Sequence, residues 1–299
     1  MKTLITLTKR NVKLFFKDKG MFFTSLITPA ILLVLYATFL SNVYKDSFMS
    51  GMPQGVVISE SLINGLVGGQ LVSSLLAVSC ITVAFCSNFL MVQDRVNGTI
   101  KDLTISPLKP TTLSVSYFIA TFISTAIICF TATIICLGYL AITGWYLTFG
   151  DTLLILLDVL ILTLFGTALS SVVNFFLTSQ GQLSAVGTIV SAGYGFICGA
   201  YMPISSFSPA LQKVVGFLPG TYGTSLLRNH TLRGVLGEMG SQGIPTSALE
   251  GVKESLDCNL YFFETQVQTS AMFIILCASF IVLLGLFVVF NIIKNKKKN

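Results

Sequence analysis

Apolar residues along this chain come in long blocks, with almost none of the strict alternation that marks half-buried strands. Six blocks are of a length that spans a bilayer as a helix, which takes about 20 mostly apolar residues. They run from Met21 to Tyr44, Leu62 to Val92, Leu113 to Ile142, Thr152 to Leu177, Leu183 to Tyr201, and Ser270 to Ile293. The second is long enough to tilt or to project beyond the lipid. The pattern predicts an all-α integral membrane protein with six transmembrane helices, forming one transmembrane domain over residues 1–299. Composition agrees. Only 10% of residues are charged and the mean hydropathy is +0.83, whereas a soluble domain carries about 25% charged residues to cover its surface.

The polar segments between the blocks have distinct characters. Residues 1–19 interleave Leu4, Leu7, Leu14, Phe15 and Phe16 with lysines, the pattern of an amphipathic helix lying in the headgroup layer. Residues 93–112 form a short loop. Residues 202–268 form the largest segment outside the spans, and it contains an apolar run from Ala210 to Phe217 among prolines. That run is too short to cross. It is expected as a re-entrant element dipping into the leaflet and buried in protein.

Charge then orients the chain. With six spans, the N-terminus, the 93–112 loop and the C-terminal tail lie on one side. They hold thirteen of the eighteen basic residues and three of the twelve acids. Arginine and lysine excess marks the cytosolic face, so both termini are expected in the cytosol and residues 202–268 outside. The expected setting is a bacterial plasma membrane. Clustering of the basic residues beside apolar spans also argues against nucleic acid as a partner. The lipid bilayer is the partner that this pattern requires.

Several chemistries are excluded. No GxxxxGK[ST] phosphate loop occurs, so the chain is not expected to hydrolyse ATP by itself. The single histidine, His230, cannot build a histidine metal site, and the seven cysteines show no CxxC or Cys/His grouping. Six cysteines lie in apolar stretches and are expected to pack as small hydrophobes; Cys258 alone lies in a polar loop. No catalytic residues, no metal and no bound cofactor are expected.

Two segments carry recognisable residues. After the second span comes Asp94-Arg95-Val96-Asn97-Gly98-Thr99-Ile100-Lys101-Asp102-Leu103, then Ser106-Pro107-Leu108. Asn97 or Thr99 can cap a short helix, Ile100 and Leu103 share one face, and Pro107 ends it. A short surface helix of this kind docks into a groove on a partner. After the fifth span come Pro203, Ser208-Pro209, Pro219-Gly220-Thr221-Tyr222 and Leu227-Arg228. In order and topology these segments resemble the type-2 ABC transporter permeases, although Val96 and Lys101 stand where acidic residues are usual in that family. The resemblance implies half of an exporter: two permease subunits, as a homodimer or a related heterodimer, driven by separate cytosolic ABC ATPase subunits that bind ATP and Mg. It assigns Asp94, Arg95, Gly98, Thr99, Ile100 and Leu103 to coupling with the ATPase. It places Pro203, Pro209, Pro219, Tyr222 and Arg228 in the outer segment.

Two further features come from the residues alone. Gly187, Ser191, Gly195 and Gly199 recur every four residues in the fifth span, a spacing that lets helices approach closely. They serve either packing within the subunit or a pathway wall and subunit contact. Asp158 is the one acid well inside a span. An intramembrane carboxylate is costly, and it is either a functional polar site or a hydrogen-bonded structural residue. A secondary transporter using Asp158 and a non-transporting scaffold are the rival readings. Nothing in the motifs selects among a lipid, a lipid-linked polymer, a drug or a peptide as cargo.

Overall fold

Helices form almost the whole of the computed structural model, which describes residues 1–50, 58–105 and 108–296. The expected stop at Ser106-Pro107 lies outside the described residues. In chain order the elements are α1 (Lys2–Lys17), α2 (Lys19–Leu35) continuing through a π-helical turn (Tyr36–Leu40) into α3 (Ser41–Ser50), α4 (Glu60–Val96), α5 (Thr99–Ile105), α6 (Pro110–Thr143), α7 (Phe149–Phe175) and α8 (Gln180–Ile197). A 3-10 turn (Ile204–Ser206) leads to α9 (Pro209–Val215), α10 (Pro219–Ser241) and α11 (Thr246–Ser255). The hairpin β1 (Leu260–Phe262) and β2 (Thr265–Val267) then runs into α12 (Thr269–Lys296). The start signals are local. Ser59 accepts the Leu62 N–H to cap α4. Thr148 and Asp151 form a capping box on α7. Prolines open α6, α9 and α10, where a missing N–H costs nothing.

The core is built around α4. Its apolar residues point in all directions, and a helix of that kind must be enclosed on every side. Accordingly α2, α6, α7, α8 and α10 pack around it, α12 lies outside against α7 and α10, and α1 crosses α6. Leu76, Ala77, Val78, Cys80 and Ile81 are wholly buried. Small residues allow the close approach: a Cβ added at Gly166 of α7 would lie 2.8 Å from the Cys80 carbonyl oxygen of α4.

Among the described residues five helices are long and apolar enough to cross a membrane: Lys19–Leu40, Glu60–Val96, Pro110–Thr143, Phe149–Phe175 and Thr269–Lys294. They coincide with five of the six expected spans. The remaining one, expected over 183–201, is α8, an 18-residue helix whose polar first turn and many small residues keep it outside that group.

Two expectations are modified. The amphipathic helix expected over residues 1–19 is α1, Lys2–Lys17, since Asp18 is extended and Lys19 begins α2; its apolar side seats on the subunit itself, with Leu7 and Phe15 buried in the main core. The segment 202–268 is a folded layer. The apolar run becomes α9 and is not buried in protein, since Leu211, Val214 and Phe217 are exposed; α10 instead inserts its Gly220–Arg228 stretch into the bundle. Leu232, Val235, Leu236 and Met239 of α10 form a second core with Leu62 and Leu66 of α4 and Val252 and Leu256 of the α11 region.

Candidate functional site

Three sites emerge, one at each end of the bundle and one along its side. At the end carrying α5, Asp94 and Arg95 close α4, and they do not hold one another. The Asp94 carboxylate accepts from Arg10 of α1 at 2.8 Å and from the Tyr117 hydroxyl of α6 at 2.5 Å. Asn11 adds a weak bond to Ser116 at 3.4 Å. Arg95 turns the other way and donates to the carbonyls of Phe175 at 2.9 Å and Leu177 at 2.5 Å, satisfying the otherwise unpaired C-terminal end of α7. Adjacent residues therefore tie α1 and α6 to one side of α4 and α7 to the other.

The chain then reverses at Gly98, whose φ of +82° suits glycine best. The Gly98 carbonyl accepts from the Lys101 and Asp102 amides and so starts α5. On α5, Ile100 and Leu103 are half-buried against the core of their own subunit. Leu103 therefore braces α5 on its own subunit. With Ile100 and Leu103 turned inward, the apolar side chain left facing away is Ile105, 84% exposed.

At the opposite end, Arg228 of α10 is fully buried. It pairs with Asp257 at 2.9 Å, donates to the Gly199 carbonyl at the end of α8, and reaches the Ser74 hydroxyl of α4 at 3.4 Å. Asp257 also accepts the amides of Ile204 at 2.8 Å and Ser205 at 3.3 Å. Burial pushes the Asp257 carboxyl up from its usual range, against the pull of Arg228 and these two amides. Five stretches of chain converge on this pair. Sequence reasoning singled out Arg228 and Gly199 but missed Asp257, one of several acids in a polar stretch. Pro203 precedes the 3-10 turn, Pro209 and Pro219 start α9 and α10, and the Tyr222 hydroxyl holds the Gly216 carbonyl at 2.5 Å.

Two cross-links join α7 to α10. Asp158 is fully buried and meets the Nδ1 of His230 at 2.5 Å. Two turns away on α7, Asp151 lies 3.3 Å from Arg233. The lone histidine, dismissed as a metal ligand, is thus the partner of the intramembrane acid. Among the described residues no group of three or more His, Cys, Asp or Glu side chains is placed to hold a metal ion.

Along the side, a cavity of about 1000 Å³ opens between α2 and α8, with α4 as its back wall. Its surface is mostly aliphatic and aromatic, with the hydroxyls of Thr24, Thr28, Ser184, Thr188 and Ser191 set into it; Asp18, at the start of α2, is the charged residue lining it. The small-residue stripe divides here. Gly187 and Ser191 line this groove. A Cβ at Gly195 would collide with the Tyr201 ring, and Gly199 sits at φ +74° against Ile204. The C-terminal half of the stripe therefore packs within the subunit.

Residues 2–231 of the 299 match the family model of the ABC-2 type transporter. The chain belongs to that family. Among curated proteins none matches it significantly. This ABC-2 permease is accordingly a multi-pass membrane subunit that associates with an ABC ATPase. The match takes in the groove, the α5 corner, Arg228 and His230, and it ends inside α10. In this permease the Asn229-His230-Thr231 sequon is helical: the Asn229 amide donates to the carbonyls of Ser225 and Cys258, so it is no open glycosylation loop.

Proposed function

We propose that this chain is the permease half of an ABC exporter that moves an amphiphile from the bilayer outward, using ATP and Mg bound by separate ATPase subunits. The chain itself carries no catalytic role. In this reading α8 is the fifth of six spans, both termini and α5 face the cytosol, and residues 202–268 form the outer segment with its re-entrant element, in a bacterial plasma membrane. Two copies, or this chain and a related one, bring two grooves to one pathway.

The groove carries the reading. It opens sideways between α2 and α8, where bilayer lipid would stand, so a hydrophobic cargo can enter without crossing water. Its aliphatic wall suits acyl or aromatic bodies, and its ladder of hydroxyls offers hydrogen bonds to a neutral polar group. Among the described residues no lysine or arginine lines it, which favours lipids, drugs and apolar peptides over cargo held by its phosphates.

α5 supports the coupling half of the proposal. It lies at the junction of α4 with the α1 and α7 tethers, so a push on α5 reaches three helices. The test is co-reconstitution with the ATPase in liposomes, measuring hydrolysis and transport with candidate amphiphiles. Ser191→Trp fills the groove and is expected to abolish cargo-stimulated hydrolysis while basal hydrolysis persists. Transport by the purified permease without an ATPase, or wild-type stimulation in the Ser191→Trp variant, would refute it.

A further inference from the structure

The end of α12 at Thr269 carries an exposed aromatic surface that none of the three sites uses. Phe217, Phe262 and Phe263 pack edge-to-face, with ring centroids 5.2 Å apart for Phe217–Phe262 and 4.9 Å for Phe262–Phe263. They nevertheless remain 64%, 37% and 58% exposed. Leu211 and Val214 of α9 extend the surface, and Lys213 lies 5.9 Å from the Phe263 ring at its edge. The backbone is fixed beneath them. Val215 and Leu260 are buried with Met272 of the first turn of α12, and the hydroxyls of Thr221 and Tyr222 hold the carbonyls of Val215 and Gly216. Phe263 sits at φ +54° as the first residue of the two-residue turn between β1 and β2, and the turn projects its ring from the end of the hairpin.

The surface is continuous with the lipid-facing side of the permease. β2 ends at Val267 and α12 begins at Thr269. Within α12 the next outward residue past Met272 is Ile274, 64% exposed, on a helix that is little buried along its apolar length. The aromatic cluster therefore stands at the level where α12 leaves the hydrocarbon. Phe, Leu and Val side chains beside a lysine are the composition of elements that lie in the interface plane with their apolar face at the headgroup–acyl boundary. The lysine stem can run along the rings while its ammonium meets phosphate.

We infer that α9 and the β1–β2 hairpin form a lipid-seated anchor, with Phe217, Phe262 and Phe263 inserted into the headgroup–acyl boundary of the leaflet at the Thr269 end of α12 and Lys213 on its phosphates. The anchor fixes the level of the layer that holds Asp257 and Arg228. It depends on membrane embedding alone, so it stands or falls separately from the exporter reading.

The test uses the full chain in lipid nanodiscs. Trp145 is the single tryptophan; it is replaced by Phe, and Phe263→Trp or Phe217→Trp is introduced as reporter. If either variant fails to fold, Leu211→Trp takes its place. Each reporter is expected to lose most of its emission to lipid brominated high on the acyl chain and little to aqueous iodide. Quenching by iodide without quenching by bromolipid overturns the anchor, because water then covers the face. Protection from both quenchers overturns it as well, because protein then covers it. A lipid-quenched reporter at one position alone overturns the common seat.

Discussion

Side chains that looked alike in the sequence have opposite roles once placed. Leu103 and Ile105 are both aliphatic residues of one short helix, yet Leu103 braces α5 on its own subunit and Ile105 faces away. Ile105→Asp is therefore expected to leave folding intact and to weaken ATPase docking by about 1–3 kcal/mol, the scale of one aliphatic side chain lost from an interface; co-purification with the ATPase at rising salt measures it. Leu103→Asp should act differently, by shifting α5 and lowering the melting temperature. Asp257→Asn leaves the Arg228 charge buried without its counter-ion, a change that costs about 3–5 kcal/mol, and a thermal melt in detergent should show a large drop. Wild-type stability there would remove the pair from the account of the fold. Cys258 is the one cysteine in a polar stretch of sequence, yet it is buried and free, and burial pushes its pKa up to about 12. It should resist maleimide at neutral pH until the protein is unfolded.

At the scale of elements, α10 departs furthest from what its composition suggests. It has no pronounced apolar face, yet its N-terminal half is enclosed by α4, α7 and α12. Gly223 makes that entry sterically feasible against Leu162 of α7, and farther along α10 Gly234 lets it approach the backbone at Tyr146. A Cβ at Gly234 would lie 1.9 Å from the Tyr146 carbonyl oxygen, whereas one at Gly237 meets nothing within 4 Å. The two positions give a matched comparison on one helix. Gly237→Ala should be neutral or slightly stabilising, since alanine favours helix over glycine by about 0.5–1 kcal/mol. Gly234→Ala should destabilise by about 1–3 kcal/mol, as overpacked sites do, and the difference in melting temperature is the readout. Equal effects would mean that α10 does not approach the Tyr146 backbone.

For the whole molecule, the distribution of charge makes one claim about orientation. On a cysteine-free background, Lys101→Cys should label only from the cytosol and Glu250→Cys only from outside. Labelling of position 250 from the cytosol would exclude six spans with cytosolic ends. Within that frame the Arg10–Asp94–Tyr117 and Arg95–α7 contacts hold the C-terminal end of α4 to its neighbours, and Arg228, paired with Asp257, reaches Ser74 in the interior of α4. The groove between α2 and α8 lies between these contacts. Movement of α2 relative to α8 can open it without breaking either polar cluster, because neither cluster includes α2 and only the Gly199 carbonyl ties the end of α8.

Sequence by itself determined the class, the existence of the spans and the likeness to ABC-2 permeases. A bilayer forces apolar helices of fixed minimum length, and the bias of lysine and arginine between loops is additive, so both can be counted along a linear chain. Local signals such as Ser59, Thr148 and the prolines at 110, 209 and 219 set helix starts for the same reason: their hydrogen bonds close within a few residues. Only the tertiary structure decided which residues meet. His230 for Asp158, Asp257 for Arg228 and Arg10 for Asp94 are separated by 72, 29 and 84 positions, and no short-range pattern encodes such pairings. The same holds for the inward face of Leu103, the burial of Cys258 and the insertion of α10. Each depends on the packing of helices around α4, where burial is a property of neighbours and not of the residue itself.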